Sequence, residues 1–419
     1  MAALLFITFI VLLVLGVPVA FSIVLSSVAV MAKGDVPLLM IVQRMFASAD
    51  SFSLIAVPFF IFAGDLMAKG KVSKVLVEFA EALLGMIKGG LSIVSVLAGM
   101  FFAAISGSGA ATTAAVGATL IPELKKRGYN EEKSAALIAA AGTIGVVIPP
   151  SVPMVLYAVI AEQSVNTLFK NGFVPGVLMG VILIAISLYE AHKKNYPKGA
   201  AFSFKNVAKT FIKAIWGILM PLIILGGIFS GYFTPSEAAD VAVIYAILVS
   251  AFVYRDMGPK ELFNIMKGSA KTSAVIMIII SCSGPFGWVL ANWKIPEAIS
   301  SSVLSVSSNP YIIMFLIAII ILIAGVFMET SSAIIILTPV FLPLVKAMGI
   351  SLVHFGIVFV VGIAIGMITP PVAINLFVAS GITGLPIEKI SKAVIPYLLG
   401  LVLVFFMILY VPMLVPGLM

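Results

Sequence analysis

The chain has little charge. Only 10% of its 419 residues are Asp, Glu, Lys or Arg, and 62% are apolar. Soluble domains carry about 25% charge, so a globular protein with a single anchor is excluded. The composition is that of an all-α polytopic membrane protein, because lipid leaves each span to satisfy its own backbone. Cysteine and histidine are nearly absent. The single Cys282 excludes an internal disulfide, and with two histidines there is no cluster for a haem, iron–sulfur or zinc enzyme. No nucleophile–base pair is legible, so no catalytic residue and no cofactor are expected. Nucleotide motifs are missing. The spans also lack the polar stripes of a channel lining. An ATP-driven permease would need a coupling loop, and nothing in the basic loops is diagnostic of one. The formal charge of +8 suggests neither nucleic acid nor an acidic substrate; lysine and arginine report sidedness first in such a chain.

Apolar runs fill the rest: 2–31, 52–68, 89–105, 111–124, 134–163, 172–191, 210–230, 235–253, 271–292, 310–326, 333–347, 351–383 and 393–415. Residues 1–31 exceed a signal-peptide core and precede no clear cleavage site, so they read as one spanning helix. In 72–88, Val75, Leu76, Phe79, Leu83 and Leu84 share a helical face while Lys74, Glu78 and Glu81 do not. That pattern predicts a helix in the membrane interface. Residues 294–306 are a weaker candidate of the same kind.

Two stretches organise the chain. GVVIPP (Gly145–Pro150) and GMITPP (Gly366–Pro371) each place paired prolines inside a spanning run. Proline removes a backbone donor and clashes with the preceding turn, and it pushes the residue before it toward extended geometry. Both runs are therefore expected to be broken helices, and such breaks at matching places mark the binding region of a secondary transporter. A shift of 221 makes ten of the 57 positions from 122 to 178 identical without a gap, six of them Gly or Pro. Chance apolar similarity would match Leu, Val and Ile instead, so the chain reads as a duplication. Its expected divisions are 1–51, a first repeat over 52–191, a connecting region over 192–270 and a second repeat over 271–419.

Charge orients the halves. The N-terminus is set inside, and 89–124 and 310–347 are set as re-entrant hairpins. Then 20 of 25 Lys and Arg fall inside, the exceptions being Lys33, Arg44, Lys170, Lys294 and Lys346. The bias follows the positive-inside rule and makes the repeats inverted, with a cytoplasmic N-terminus and a periplasmic C-terminus. The first hairpin turns at 106–110 in a Ser-Gly-Ser-Gly sequence, the second at 327–333 around Glu329, Thr330, Ser331 and Ser332. Tips and breaks (145–151 and 366–372) together would form two oxygen-rich cages. Hard cations want oxygen ligands, while helix N-termini suit an anion such as a carboxylate.

These motifs resemble the large membrane subunit of tripartite ATP-independent periplasmic (TRAP) transporters, in the ion-transporter superfamily. The likeness runs through ITFIVLLVLGVPVAFS, VPFFIFAGDLM, ISGSGAATTAA, GTIGVVIPPS and MITPPVAINLF. It implies an elevator-type importer in the bacterial inner membrane, driven by sodium as the only metal. The implied partners are a small four-helix membrane subunit, a soluble periplasmic binding protein and the lipid bilayer; the cargo is an organic acid such as sialic acid or a C4-dicarboxylate. Carried over by position, one sodium site would use Ser106, Ser108, Gly145, Ile148 and Pro149. The other would use Glu329, Thr330, Gly366 and Thr369. Substrate would meet Ser108, Gly109, Pro150, Glu329, Pro371 and Asn375. A stand-alone symporter of the same superfamily is the alternative. Glu329, opposite Ser108 in the repeat, is placed deep in the protein and makes the cages unequal. Asp65 reads as interfacial, Glu237 and Asp240 as helix-capping charges.

Overall fold

Apolarity makes residues 1–31 look like a single span, but the backbone divides them. In the structure, a computed structural model describing residues 1–198, 201–298, 301 and 309–414, helix α1 covers Ala2–Val14 and α2 covers Val19–Lys33. Between them Gly16 takes φ +81°, and the N–H groups of Gly16 and Val17 return to the carbonyls of Leu13 and Leu12. That is a Schellman stop, completed by Pro18, which starts the next helix. The two helices pack side by side, and Phe6 and Phe9 of α1 touch Phe286 while Gly34 after α2 meets Trp293. The single span expected over 1–31 is thus a helical hairpin. Met1 returns to the end of the molecule that holds Lys33, whereas a single span would have set the two at opposite ends.

The remaining helices follow in order. They are α3 (Leu39–Ala49), α4 (Ala56–Lys69), α5 (Val72–Leu84), α6 (Gly90–Ser106), α7 (Gly109–Lys126), α8 (Glu131–Thr143) and α9 (Val152–Ile160). Next come α10 (Val165–Lys193), α11 (Phe204–Ser230), α12 (Pro235–Leu248) and α13 (Pro259–Asn292). The last are α14 (Pro310–Phe327), α15 (Thr330–Ala347), α16 (Leu352–Gly366), α17 (Ile374–Thr383) and α18 (Ile387–Leu414). Eight of the described helical segments are long and apolar enough to cross a membrane. Thr234 and Glu237 cap α12 reciprocally; Asp240 makes no such bond. Helix α5 lies between α6 and α11, with Val72, Leu76 and Phe79 buried. Its Glu81 pairs with Arg127 at 2.5 Å and its Glu78 with Lys213 at 3.9 Å. The candidate interface helix at 294–306 lies largely outside the described residues.

The halves interlock by exchange. The second hairpin arm of each repeat packs on the half-helix after the other repeat's break: α7 on α17, α15 on α9. Likewise α8 packs on α18 and α16 on α10. These symmetric pairs are consistent with an inverted repeat in an all-α polytopic membrane protein. The hairpins differ: α6 and α7 run along each other, whereas α14 leans on α16 and meets α15 little. Charged contacts gather at one end of the molecule. Lys71 bonds Asp256 through its backbone, Lys133 pairs with Glu190, Arg127 with Glu81, and Lys389 with Glu132. At the other end Arg44 lies 5.8 Å from the Trp288 ring and Lys170 5.7 Å from Phe229.

Candidate functional site

The first tip is built by its small residues. Gly107 takes φ +59° and closes α6, and its Cα faces the Pro150 carbonyl, which a Cβ would meet at 2.8 Å. Ser108 is extended and caps α7, accepting from Ala111 N–H at 3.4 Å. The hydroxyls of Ser106 and Thr112 lie 2.8 Å apart, and the Thr112 hydroxyl donates to the Ser108 carbonyl at 2.8 Å. Ser106 Oγ is 3.2 Å from that carbonyl as well. Gly145 of the first break closes over this cluster. A Cβ there would stand 2.6 Å from Thr112 Oγ1 and 2.7 Å from the Ser108 carbonyl, so only glycine lets the backbone approach. Ser106 and Thr112 are buried. Three neutral oxygens and a bare backbone are the donor set a small monovalent cation accepts. Among the described residues no group of three or more His, Cys, Asp or Glu could hold a metal ion, so an ion here would rest on carbonyls and hydroxyls.

The second tip repeats the geometry with other chemistry. Glu329 caps α15 as Ser108 caps α7, its Oε2 accepting from Ser332 N–H at 3.1 Å and its Oε1 from the Ser331 hydroxyl at 3.1 Å. Thr330 beside it is buried. Glu329 itself is exposed and faces the cavity between the tips, with Met328 and Glu329 extended where the arms part. Gly366 packs against the backbone of Gly325, leaving no room for a Cβ.

The breaks also differ. Each holds a cis Pro–Pro peptide. At the first, every residue from Gly145 to Ser151 is buried. Ser151 caps α9 through Met154 N–H at 3.3 Å and donates to the Val146 carbonyl at 2.5 Å. At the second, Val372 stands where Ser151 stands in the first, α17 has no side-chain cap, and Pro370, Pro371 and Val372 are exposed.

A cavity of about 500 Å³ lies where these parts meet. Both tips line it, with Ser106, Ser108, Gly109, Glu329, Thr330 and Ser331, as do Val146, Val152, Met367 and Ile374 beside the breaks. Four helices therefore start at its wall: α7, α9, α15 and α17. Among the described residues the wall carries no Lys, Arg or His. Gly145 closes on the first tip; Ile148 packs against Gly176 and Pro149 is buried within the break. Several expected residues do not reach the cavity. The Thr369 hydroxyl is returned to the Ile365 carbonyl at 2.9 Å. Pro371 lines a separate slot with Glu388, Ser391 and Lys392. Asn375 is fully buried and donates to the Ala139 carbonyl at 3.1 Å, tying α17 to α8. Two participants were missed. Thr112 is one turn beyond Ser108, and that i, i+4 spacing could have found it. Asp65, which the sequence places near a span end, lines the cavity from α4 and accepts from the Ser269 hydroxyl at 2.6 Å.

Symmetric helix pairs and two interrupted helices around one cavity define an all-α polytopic membrane protein consistent with an inverted repeat. Two solved structures share the fold. The Alcanivorax borkumensis YdaH transporter aligns with a TM-score of 0.64 at 16% identity, over 89% of this chain and 87% of that one. MtrF of Neisseria gonorrhoeae aligns at 0.65 and 13%, over 91% and 85%. At such identities the likeness concerns fold alone. Sequence comparison is more specific. The family model "Tripartite ATP-independent periplasmic transporter, DctM component" matches residues 6–414. The isethionate TRAP transporter permease protein DctMQ of Oleidesulfovibrio alaskensis is 42% identical over 96% of this chain, which spans 63% of that relative's length. The C4-dicarboxylate large permease DctM of Pseudomonas aeruginosa is 42% identical over 88% of this chain and 86% of its own. The sialic acid large permease SiaM of Vibrio cholerae is 33% identical over 96% and 94%. The chain belongs to the large permease (DctM) component family of TRAP transporters. It is a permease rather than an enzyme, and a multi-pass protein of the inner membrane.

Proposed function

We propose that the chain is the membrane-embedded permease of a sodium-coupled importer of small organic anions. One observation carries the reading: four helix N-termini converge on a cavity that holds two hairpin tips and, among the described residues, no basic side chain. Helix starts present free N–H groups and about half a positive charge each, so they supply the attraction for an anion. The oxygen cluster of Ser106, Ser108 and Thr112 under Gly145 supplies a cation site beside it. The Glu329 and Thr330 tip, with Gly366 next to Met367, supplies a second. Relatives named for isethionate, C4-dicarboxylates and sialic acid support the anion class. Substrate would arrive from a soluble periplasmic binding protein, with a small four-helix subunit completing the permease and elevator motion exposing the cavity to each side in turn. Uptake by proteoliposomes holding the full complex, with its binding protein outside, tests this. Uptake should follow an inward sodium gradient without ATP. Unchanged uptake when potassium replaces sodium on both sides would refute it.

A further inference from the structure

The cavity has a charge that belongs to neither tip. Asp65 stands on α4, next to Gly64, whose Cα lies against the first tip: a Cβ there would meet the Ser106 carbonyl at 2.7 Å. Asp65 Oδ2 accepts from Ser269 of α13, and Thr272, one turn further on α13, lines the cavity beside it. No ion pair engages Asp65 among the described residues. Among the described residues its second oxygen accepts no hydrogen bond, and the charge of Lys69, one turn on along α4, reaches it. A lone acceptor on a cavity wall asks for a hydrogen-bond donor from whatever fills the cavity.

Resting on the anion reading above, the geometry points to Asp65 as a specificity-determining residue that selects hydroxylated monoanions and rejects dicarboxylates. The helix starts hold one anionic group. The rest of the cargo then faces the α4–α13 wall, where Asp65 accepts from hydroxyls and the Thr272 hydroxyl adds a donor or acceptor. A second carboxylate at that wall would meet a like charge, with no lysine or arginine among the described residues that line the cavity. The cavity of about 500 Å³ has room for a polyhydroxy acid.

The test uses two probes of opposite character, gluconate and succinate, in sodium. The readout is protection of a cysteine at the exposed lining position Ala114 (Ala114→Cys, in Cys282→Ala) from alkylation in the complete permease. Gluconate should protect at a concentration at least ~10-fold lower than succinate, the scale of one uncompensated like-charge contact. Asp65→Asn should erase most of that ratio, and Asp65→Glu should keep it. Thr272→Lys, which leaves Asp65 and its hydrogen bond intact, should shift the ratio toward succinate and reads out the same charge logic if Asp65→Asn is poorly made. Equal protection by both probes in the parent, or a ratio unmoved by both Asp65→Asn and Thr272→Lys, would overturn the role of Asp65 while leaving the anion cavity in place. Protection by neither probe would overturn the anion reading itself, and this assignment with it.

Discussion

At the scale of single residues, the first tip depends on what is missing at Gly145 as much as on the hydroxyls present. Alanine there would place a carbon 2.6 Å from Thr112 Oγ1 and 2.7 Å from the Ser108 carbonyl, closer than packed atoms tolerate. Gly145→Ala is expected to abolish sodium activation, because the break must withdraw from the tip. Thr112→Ala deletes one oxygen and leaves the backbone in place. It should raise the sodium concentration for half-maximal uptake roughly fivefold, the equivalent of ~1 kcal/mol for one such contact, with normal protein yield. Normal sodium activation in both variants would show that the cluster binds no coupling ion. The serines of this tip were legible, since Ser-Gly-Ser-Gly between two apolar arms has few other uses. Thr112 is a threonine inside a helix, and its part follows from a hydroxyl turned back one turn to the Ser108 carbonyl. The contact of Asp65 with Ser269 and the cavity was not legible, because distance along the chain from a span's end says nothing about which helices cover a residue.

At the scale of elements, proline and glycine announced the breaks, and the structure puts turns and helix starts there. The sequence also matched the two breaks position for position, yet their surroundings differ. Burial of the first and exposure of the second are set by neighbours distant in the chain, which no local pattern reports. One local difference was readable: Ser151 follows the first Pro–Pro and Val372 the second. Ser151→Ala is expected to destabilise the protein by ~1 kcal/mol, the usual value of a helix N-cap, seen as a lower melting temperature in detergent. Val372→Ala should be close to neutral, as Val372 is exposed and caps nothing. Equal shifts for the two would mean that the cap on α9 contributes little. The N-terminal run shows the opposite failure. Over 1–31 continuous hydrophobicity hides the Gly16-Val17-Pro18 stop that divides the run into two helices.

At the scale of the whole molecule, the α1–α2 hairpin changes the sidedness of the first residue. In a Cys282→Ala background, cysteines at Ala2 and Lys33 should react with an impermeant reagent on one side of the membrane, and a cysteine at Lys194 on the other. Labelling of Ala2→Cys together with Lys194→Cys, and apart from Lys33→Cys, would contradict the hairpin. The same scale gives meaning to the contact between Gly325 and Gly366. It joins the first arm of the second hairpin to the helix that leads into the second break, backbone against backbone. The second arm, α15, packs on α9 and α13 and also on α16. Both arms of the hairpin therefore share α16 as an anchor, and the extended residues Met328 and Glu329 join them. A swing of α14 would carry α16 and the Met367 side of the cavity with it. A latch at the tip and the floor of the cavity would then turn as one crank.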